Sequence, residues 1–125
     1  MRISRAEAEP YFAHKSQRIM GLEELPDEPF EYLAFGNVCG AFHDSFWPGV
    51  AMVHVGMKPE GLGRSDAHAM AILHWYAEDR ECERITAWID QRNRAAMAFA
   101  RRLGFEDDGE MKMASETVKM MGWSA

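Results

Sequence analysis

The chain has 125 residues, 47% hydrophobic and 27% charged, the size and make-up of one globular domain with one core. Fourteen Lys and Arg against 20 Asp and Glu give a formal charge of −6, which argues against nucleic-acid binding through a broad basic surface, and no run approaches the ~20 apolar residues that span a bilayer. Met1-Arg2-Ile3-Ser4 leads into a charged segment without an apolar h-region, so no signal peptide is expected, and two cysteines without motif spacing, Cys39 and Cys82, fit a reducing, cytoplasmic setting.

Met1-Arg2-Ile3 reads as a short edge strand. Ser4-Arg5-Ala6-Glu7 has the form of a capping box. Pro10 limits where the regular helix begins, so Tyr11 to Met20 is the stronger helical stretch, with Gly21 as its stop. Leu22 to Pro29 holds two prolines and four acids and reads as a loop. Glu31 to Phe35, the turn dipeptide Gly36-Asn37 and Val38 to Phe46 form a hairpin pattern. Pro48-Gly49 turns the chain into Val50 to Gly56, apolar on both faces except at His54, the pattern of a central strand.

Lys58-Pro-Glu-Gly-Leu-Gly-Arg-Ser65 is a Gly-rich loop. Ala69, Ile72, Leu73, Tyr76 and Ala77 then recur at helical spacing, which predicts a helix from Ser65 to Asp79. Arg84 to Asp90 alternates as a strand. Asn93 can cap a helix over Arg94 to Leu103, closed by Gly104. Phe105 opens an acidic turn, and Glu110 to Ala114 with Thr117 to Trp123 completes a terminal hairpin. The order β-α-β-β-β-α-β-α-β-β describes an α/β (α+β) domain, a mixed sheet with helices packed on it, over residues 1–125.

A strand feeding a Gly-rich loop and then a helix presents unpaired N–H groups and the positive end of a helix dipole. Phosphate oxygens bind there without a specialised side chain. Gly61 and Gly63 let the backbone approach closely, and Lys58 and Arg64 add charge. The loop lacks the GxxxxGK[ST] pattern of a Walker A motif, and it follows the fourth strand rather than the first, unlike a Rossmann fingerprint. Two glycines before a helix are also compatible with a simple tight turn.

Lys58-Pro-Glu-Gly61-Leu-Gly63, followed later by Ile85 to Asp90 and Asn93 through Gly104-Phe105, resembles the GNAT (Gcn5-related N-acetyltransferase) family. That family carries [Q/R]xxGxG/A between its fourth strand and the next helix, where the acetyl-CoA pyrophosphate sits; Lys58 replaces the Gln or Arg. Asn93, Ala96, Leu103, Gly104 and Phe105 fall in register with its second motif. The resemblance implies a mostly antiparallel sheet with helices on both faces, split between the fourth and fifth strands. It implies acetyl-CoA as cosubstrate, with main-chain groups from His54 to Met57, those of Val55 and Met57 included, along the pantetheine. Lys58, Gly61, Leu62, Gly63, Arg64 and Ser65 would hold the pyrophosphate, and Asn93 would reach the pantetheine. Transfer would be direct attack of an amine on the thioester, which needs positioning, removal of a proton and departure of a thiolate.

The family's usual acid is a Tyr four residues before the Gly of Gly-Phe. Here that position is Ala100, beside Phe99, which has no hydroxyl. His54 is the candidate base by its titration range, weighed against a hydrogen-bonded core histidine. His43 and Asp44 are neighbours on a strand and point to opposite faces. Asp90 either meets an amine or starts a turn. His68 and His74 share no helix face, so no metal site is expected. Cys82 has no activating partner. Arg92, Arg94, Arg101 and Arg102 read as a solvated face, and the many methionines as core filler or a contact surface.

Two functions follow. One is an acetyl-CoA-dependent N-acetyltransferase acting on a small-molecule or protein amine. The other is a catalytically degenerate GNAT-like binding or structural protein, as in phage virion and assembly components, which would show itself as a homo-oligomer or virion assembly without CoA binding. Ala100, Lys58 and Met111, Met113, Met120 and Met121 fit the second reading; fold alone does not separate them.

Overall fold

The computed structural model describes residues 1–13, 24–27, 29–58 and 65–125. β1 (Arg2–Ile3) leads into α1 (Arg5–Ala8). Ser4 caps that helix as a true capping box: its Oγ accepts the Glu7 N–H at 3.2 Å, and the Glu7 carboxylate accepts the Ser4 N–H at 3.1 Å. A 3₁₀ helix follows over Glu9–Phe12, with Pro10 in its first turn. Proline supplies no N–H, so the chain tightens there instead of extending the α-helix. Of the helix expected over Tyr11 to Met20, only Tyr11 and Phe12 take 3₁₀ form and Ala13 is irregular; the remainder and Gly21 lie outside the described residues.

The hairpin β2 (Glu31–Phe35) and β3 (Val38–Asp44) turns at Gly36-Asn37, with Gly36 at φ +60. β3 stops two residues earlier than its apolar run. The Ser45 hydroxyl donates to the Val50 carbonyl at 2.6 Å and accepts the Trp47 N–H at 3.0 Å, which bends the chain away from the ladder. β4 (Val50–Met57), α2 (Ser65–Arg80), β5 (Arg84–Asp90), α3 (Arg94–Arg102), β6 (Glu106–Met113) and β7 (Glu116–Ser124) complete the chain. The acidic run after Phe105 is strand, not turn. It pairs with β7 through a bulge at Asp108, and Arg84 meets that carboxylate at 2.8 Å.

The seven strands form one sheet in the order β1-β2-β3-β4-β5-β7-β6, with β4 central. Every neighbouring pair is antiparallel except β4 and β5, which α2 joins as a crossover. Helices cover both faces, as the alternation of β4 requires. Ala51 and Val53 join Ile72, Leu73, Tyr76, Met97, Phe99, Ala100, Leu103, Ile85, Met121 and Trp123 in the core under α2 and α3. The opposite face holds Ala8, Phe12, Leu25, Tyr32, Cys39 and Ala41. No helix among the described residues is long and apolar enough to cross a membrane.

Candidate functional site

The central feature is a wedge between β4 and β5. Only three residue pairs join these strands: Val50 with Arg84, Ala51 with Ile85 and Met52 with Thr86. β4 nevertheless runs on to Met57 and β5 to Asp90, each still fully paired on its other side. The strands are parallel and joined at their starts, so the wedge widens toward their carboxyl ends. α2 begins just beyond one of those ends and α3 beyond the other, which brings the positive poles of two helices to the mouth.

Hydrogen bonding fixes which main-chain groups line the wedge. The Ser45 N–H donates to the Val50 carbonyl and the Lys58 N–H to the Asn37 carbonyl, so even-numbered residues of β4 face β3. Val55, of opposite parity, turns its N–H and carbonyl toward β5. On β5, the Arg84 N–H donates to Gly49 while the Gln91 N–H donates to Thr117 on the far side. Trp88, even-numbered like Arg84, therefore presents its main chain to the wedge from across.

At the mouth, Asn37 is buried and ties together the two ends of the segment 59–64. Its Nδ2 donates to the Lys58 carbonyl at 3.1 Å and to Ser65 Oγ at 3.0 Å, and its Oδ1 lies 3.4 Å from His68 Nδ1. Ser65 is thus brought to the mouth with its hydroxyl engaged; what it presents outward is the first N–H of α2. The Lys58 ammonium sits 4.4 Å from the centre of the Tyr11 ring. Gly61, Leu62, Gly63 and Arg64 lie outside the described residues. Asn93 caps α3, its Oδ1 accepting the Ala96 N–H at 3.1 Å, so its amide nitrogen is the group left to donate.

His54 projects from the face opposite α2 and α3. It meets His43 diagonally across the β3–β4 ladder, Nε2 to Nε2 at 3.4 Å, with ring centroids 5.5 Å apart. Phe30 lies over both rings, at 4.5 and 6.1 Å between centroids. Burial, with the His43 charge adding to it, lowers the His54 pKa to about 4, so its imidazole is neutral at pH 7. His43 also lines a cavity of about 550 Å³ with Phe30, Tyr32, Asp27, Glu31 and Asp44.

The other candidates do not join this site. Arg92 draws Asp90 into a turn by side chain and main chain, and this bonding lowers the carboxyl pKa to about 2. Arg92, Arg101 and Arg102 are spent on Glu116 and Asp90, Asp107 and Asp66. His74 packs edge-on against Trp123, far from the use His68 finds, and no metal-holding cluster occurs among the described residues. Burial pushes the Cys39 thiol up to about 12 and raises that of Cys82, so neither is a nucleophile near neutrality. Ala100 and Phe99 are both in the core. Sequence reasoning missed Asn37 and the pairing of His43 with His54. The parity of the β3–β4 hairpin carries the second, because residues at diagonal positions share a face.

No protein-family model matches the sequence, and no curated protein matches it. Solved structures do. A ribosomal-protein-S5-alanine acetyltransferase from Vibrio fischeri superposes with a TM-score of 0.64 at 16% identity, over 76% of this chain and 61% of that one. A GNAT-family acetyltransferase from Bacillus anthracis gives 0.60 at 16% identity, over 70% and 58%. Spermidine N-acetyltransferase from Vibrio cholerae, in complex with CoA and spermine, gives 0.64 at 12% identity, over 78% and 66%. The chain spans about three-fifths of the length of the first two. With a seven-stranded sheet split between β4 and β5 and helices on both faces, the chain has the fold of the GNAT acetyltransferases.

Proposed function

We propose that the protein is an acetyl-CoA-dependent N-acetyltransferase that binds its cosubstrate in the β4–β5 wedge. The observation that carries this reading is the wedge itself, lined by the main chain of Val55 and Trp88 and opening on two helix N-termini. An amide-containing pantetheine arm matches such strand groups by hydrogen bonding. Val55 and Met57 would pair with it, and the Asn93 amide nitrogen would reach it from α3. Lys58, Gly61, Leu62, Gly63, Arg64 and the N–H of Ser65 would hold the pyrophosphate at the start of α2.

α2 and α3 pack on the other face of the sheet, so the acceptor amine approaches on the face that carries His54, beside the 3₁₀ helix that packs at Gly56. Neutral His54 takes the amine proton as the nitrogen attacks the thioester carbonyl, and the CoA thiolate departs with the electron pair of the broken C–S bond. With Ala100 in the core and no tyrosine in α3, the thiolate leaves without a proton from α3. The test is calorimetric titration with acetyl-CoA of the wild type and of Gly63→Asp. Binding by the wild type and loss in the variant is the expected pair, since the carboxylate would stand where the pyrophosphate belongs. No binding to the wild type at millimolar acetyl-CoA ends the proposal.

A further inference from the structure

We propose that His43 is the proton exit for His54, carrying the proton released by the acceptor amine to the cavity at the end of the sheet, where β2 begins and β3 ends. The inference rests on the acetyltransferase reading and on His54 as its base. Its geometry is a contact across the β3–β4 ladder, from His54 on β4, the strand that flanks the wedge, to His43 on β3, and on to the cavity of about 550 Å³ that His43 lines. Hydrogen bonding also sets the direction. His43 Nδ1 lies 3.0 Å from the Asp44 main-chain carbonyl, which can only accept. Nδ1 therefore carries the hydrogen, and in the neutral ring Nε2 is an acceptor. Facing it at 3.4 Å, His54 Nε2 must be the donor, which leaves His54 Nδ1 as the basic atom.

In the transfer, the attacking amine loses a proton to His54 Nδ1. His54 passes its Nε2 proton to His43 Nε2, and half-exposed His43, then carrying hydrogens on both ring nitrogens, gives up its Nδ1 hydrogen to water in the cavity. No oxidant or further reactant is needed. Burial alone would disfavour a cationic His54; the relay removes the need for that charge to persist. On the face of the pair stand Tyr32 from β2, whose hydroxyl donates to the Pro26 carbonyl, and, at the cavity wall, Asp27 and Arg5; Glu31, held by Arg2 and Arg80, and Asp44 border the cavity from the α2 face.

The test has a spectroscopic and a kinetic arm. Long-range ¹H–¹⁵N spectra should place the His54 hydrogen on Nε2, and His43→Gln should raise the His54 titration midpoint above about 4. A His54 hydrogen on Nδ1 overturns the proposal. For kinetics, acetyl transfer from acetyl-CoA is followed with spermidine and with an alanine-initiated peptide. Glutamine can accept the His54 hydrogen bond but cannot take the proton, so His43→Gln should lower kcat ~10-fold or more with KM for acetyl-CoA unchanged. His43→Ala should behave alike and regain rate with added imidazole, which a merely structural role would not produce. Full kcat in both His43 variants, with loss in His54→Gln, overturns the relay alone. Full kcat in His54→Gln overturns the base assignment, and failure of the wild type to bind acetyl-CoA overturns the acetyltransferase reading and the relay with it.

Discussion

Asn37 stands in a turn dipeptide, yet its amide is buried and spans both ends of the segment 59–64. Replacing it with Leu strands the Ser65 hydroxyl and the Lys58 carbonyl, at a cost of about 1–3 kcal/mol. Urea unfolding should register that loss, and acetyl-CoA affinity should fall more than the stability change alone explains, because the loop ends drift apart. Equal affinity in Asn37→Leu would remove Asn37 from the site. His54 makes a second prediction at this scale. Its folded pKa of about 4 lies below the 6.5 of an ordinary histidine. Between those values the unfolded chain takes up a proton that the folded chain refuses, so stability is intact above pH 6.5 and declines as pH falls toward 4. The full effect is on the order of 3 kcal/mol. Carboxylates titrate over part of the same range, so the measurement is a comparison: His54→Gln should lose less stability than the wild type between pH 7 and 4.5. A parallel loss in both proteins would refute it.

At the scale of elements, β4 is fixed from both faces, and Gly56 is where the second face comes closest. A Cβ there would lie 2.6 Å from the Tyr11 carbonyl oxygen and 2.7 Å from the Phe12 ring. The 3₁₀ helix rests on that bare backbone, so Gly56→Val should cost about 2–3 kcal/mol by displacing it, read as a lower urea midpoint. A variant as stable as the wild type would mean that the 3₁₀ helix can lift away freely. Elements with local causes were legible in the sequence: the Ser4 capping box, the Gly36 turn, the Asn93 cap and the Gly104 stop. The β6 start was not. Glu106-Asp107-Asp108-Gly109 has turn chemistry, and it becomes strand only because β7 supplies the partner and Arg84 meets Asp108. The end of β3 was missed for a similar reason, since one Ser45 hydroxyl outweighs the apolar run through Phe46.

For the whole molecule, the sheet is two antiparallel halves held by three pairs at the base of the wedge and by the shared core under α2 and α3. The family resemblance located the wedge in the sequence, but His43 and Asn37 became visible only with register and loop closure, which are properties of chain segments far apart. The same architecture ties the function to a measurable local opening. Main-chain N–H groups that face β3 or β7 are held by neighbouring strands, whereas those of Val55 and Trp88 face the gap. Their hydrogen exchange should therefore be faster than that of His54 and Ile89, the neighbours with the opposite parity. A pantetheine arm laid in the wedge joins the two halves and occupies these groups. Saturating acetyl-CoA should slow exchange at Val55 and Trp88 more than at His54 and Ile89, whereas general stabilisation at a remote site would leave that strand-parity pattern unchanged. Slowing without the alternation would place the cosubstrate somewhere other than between β4 and β5.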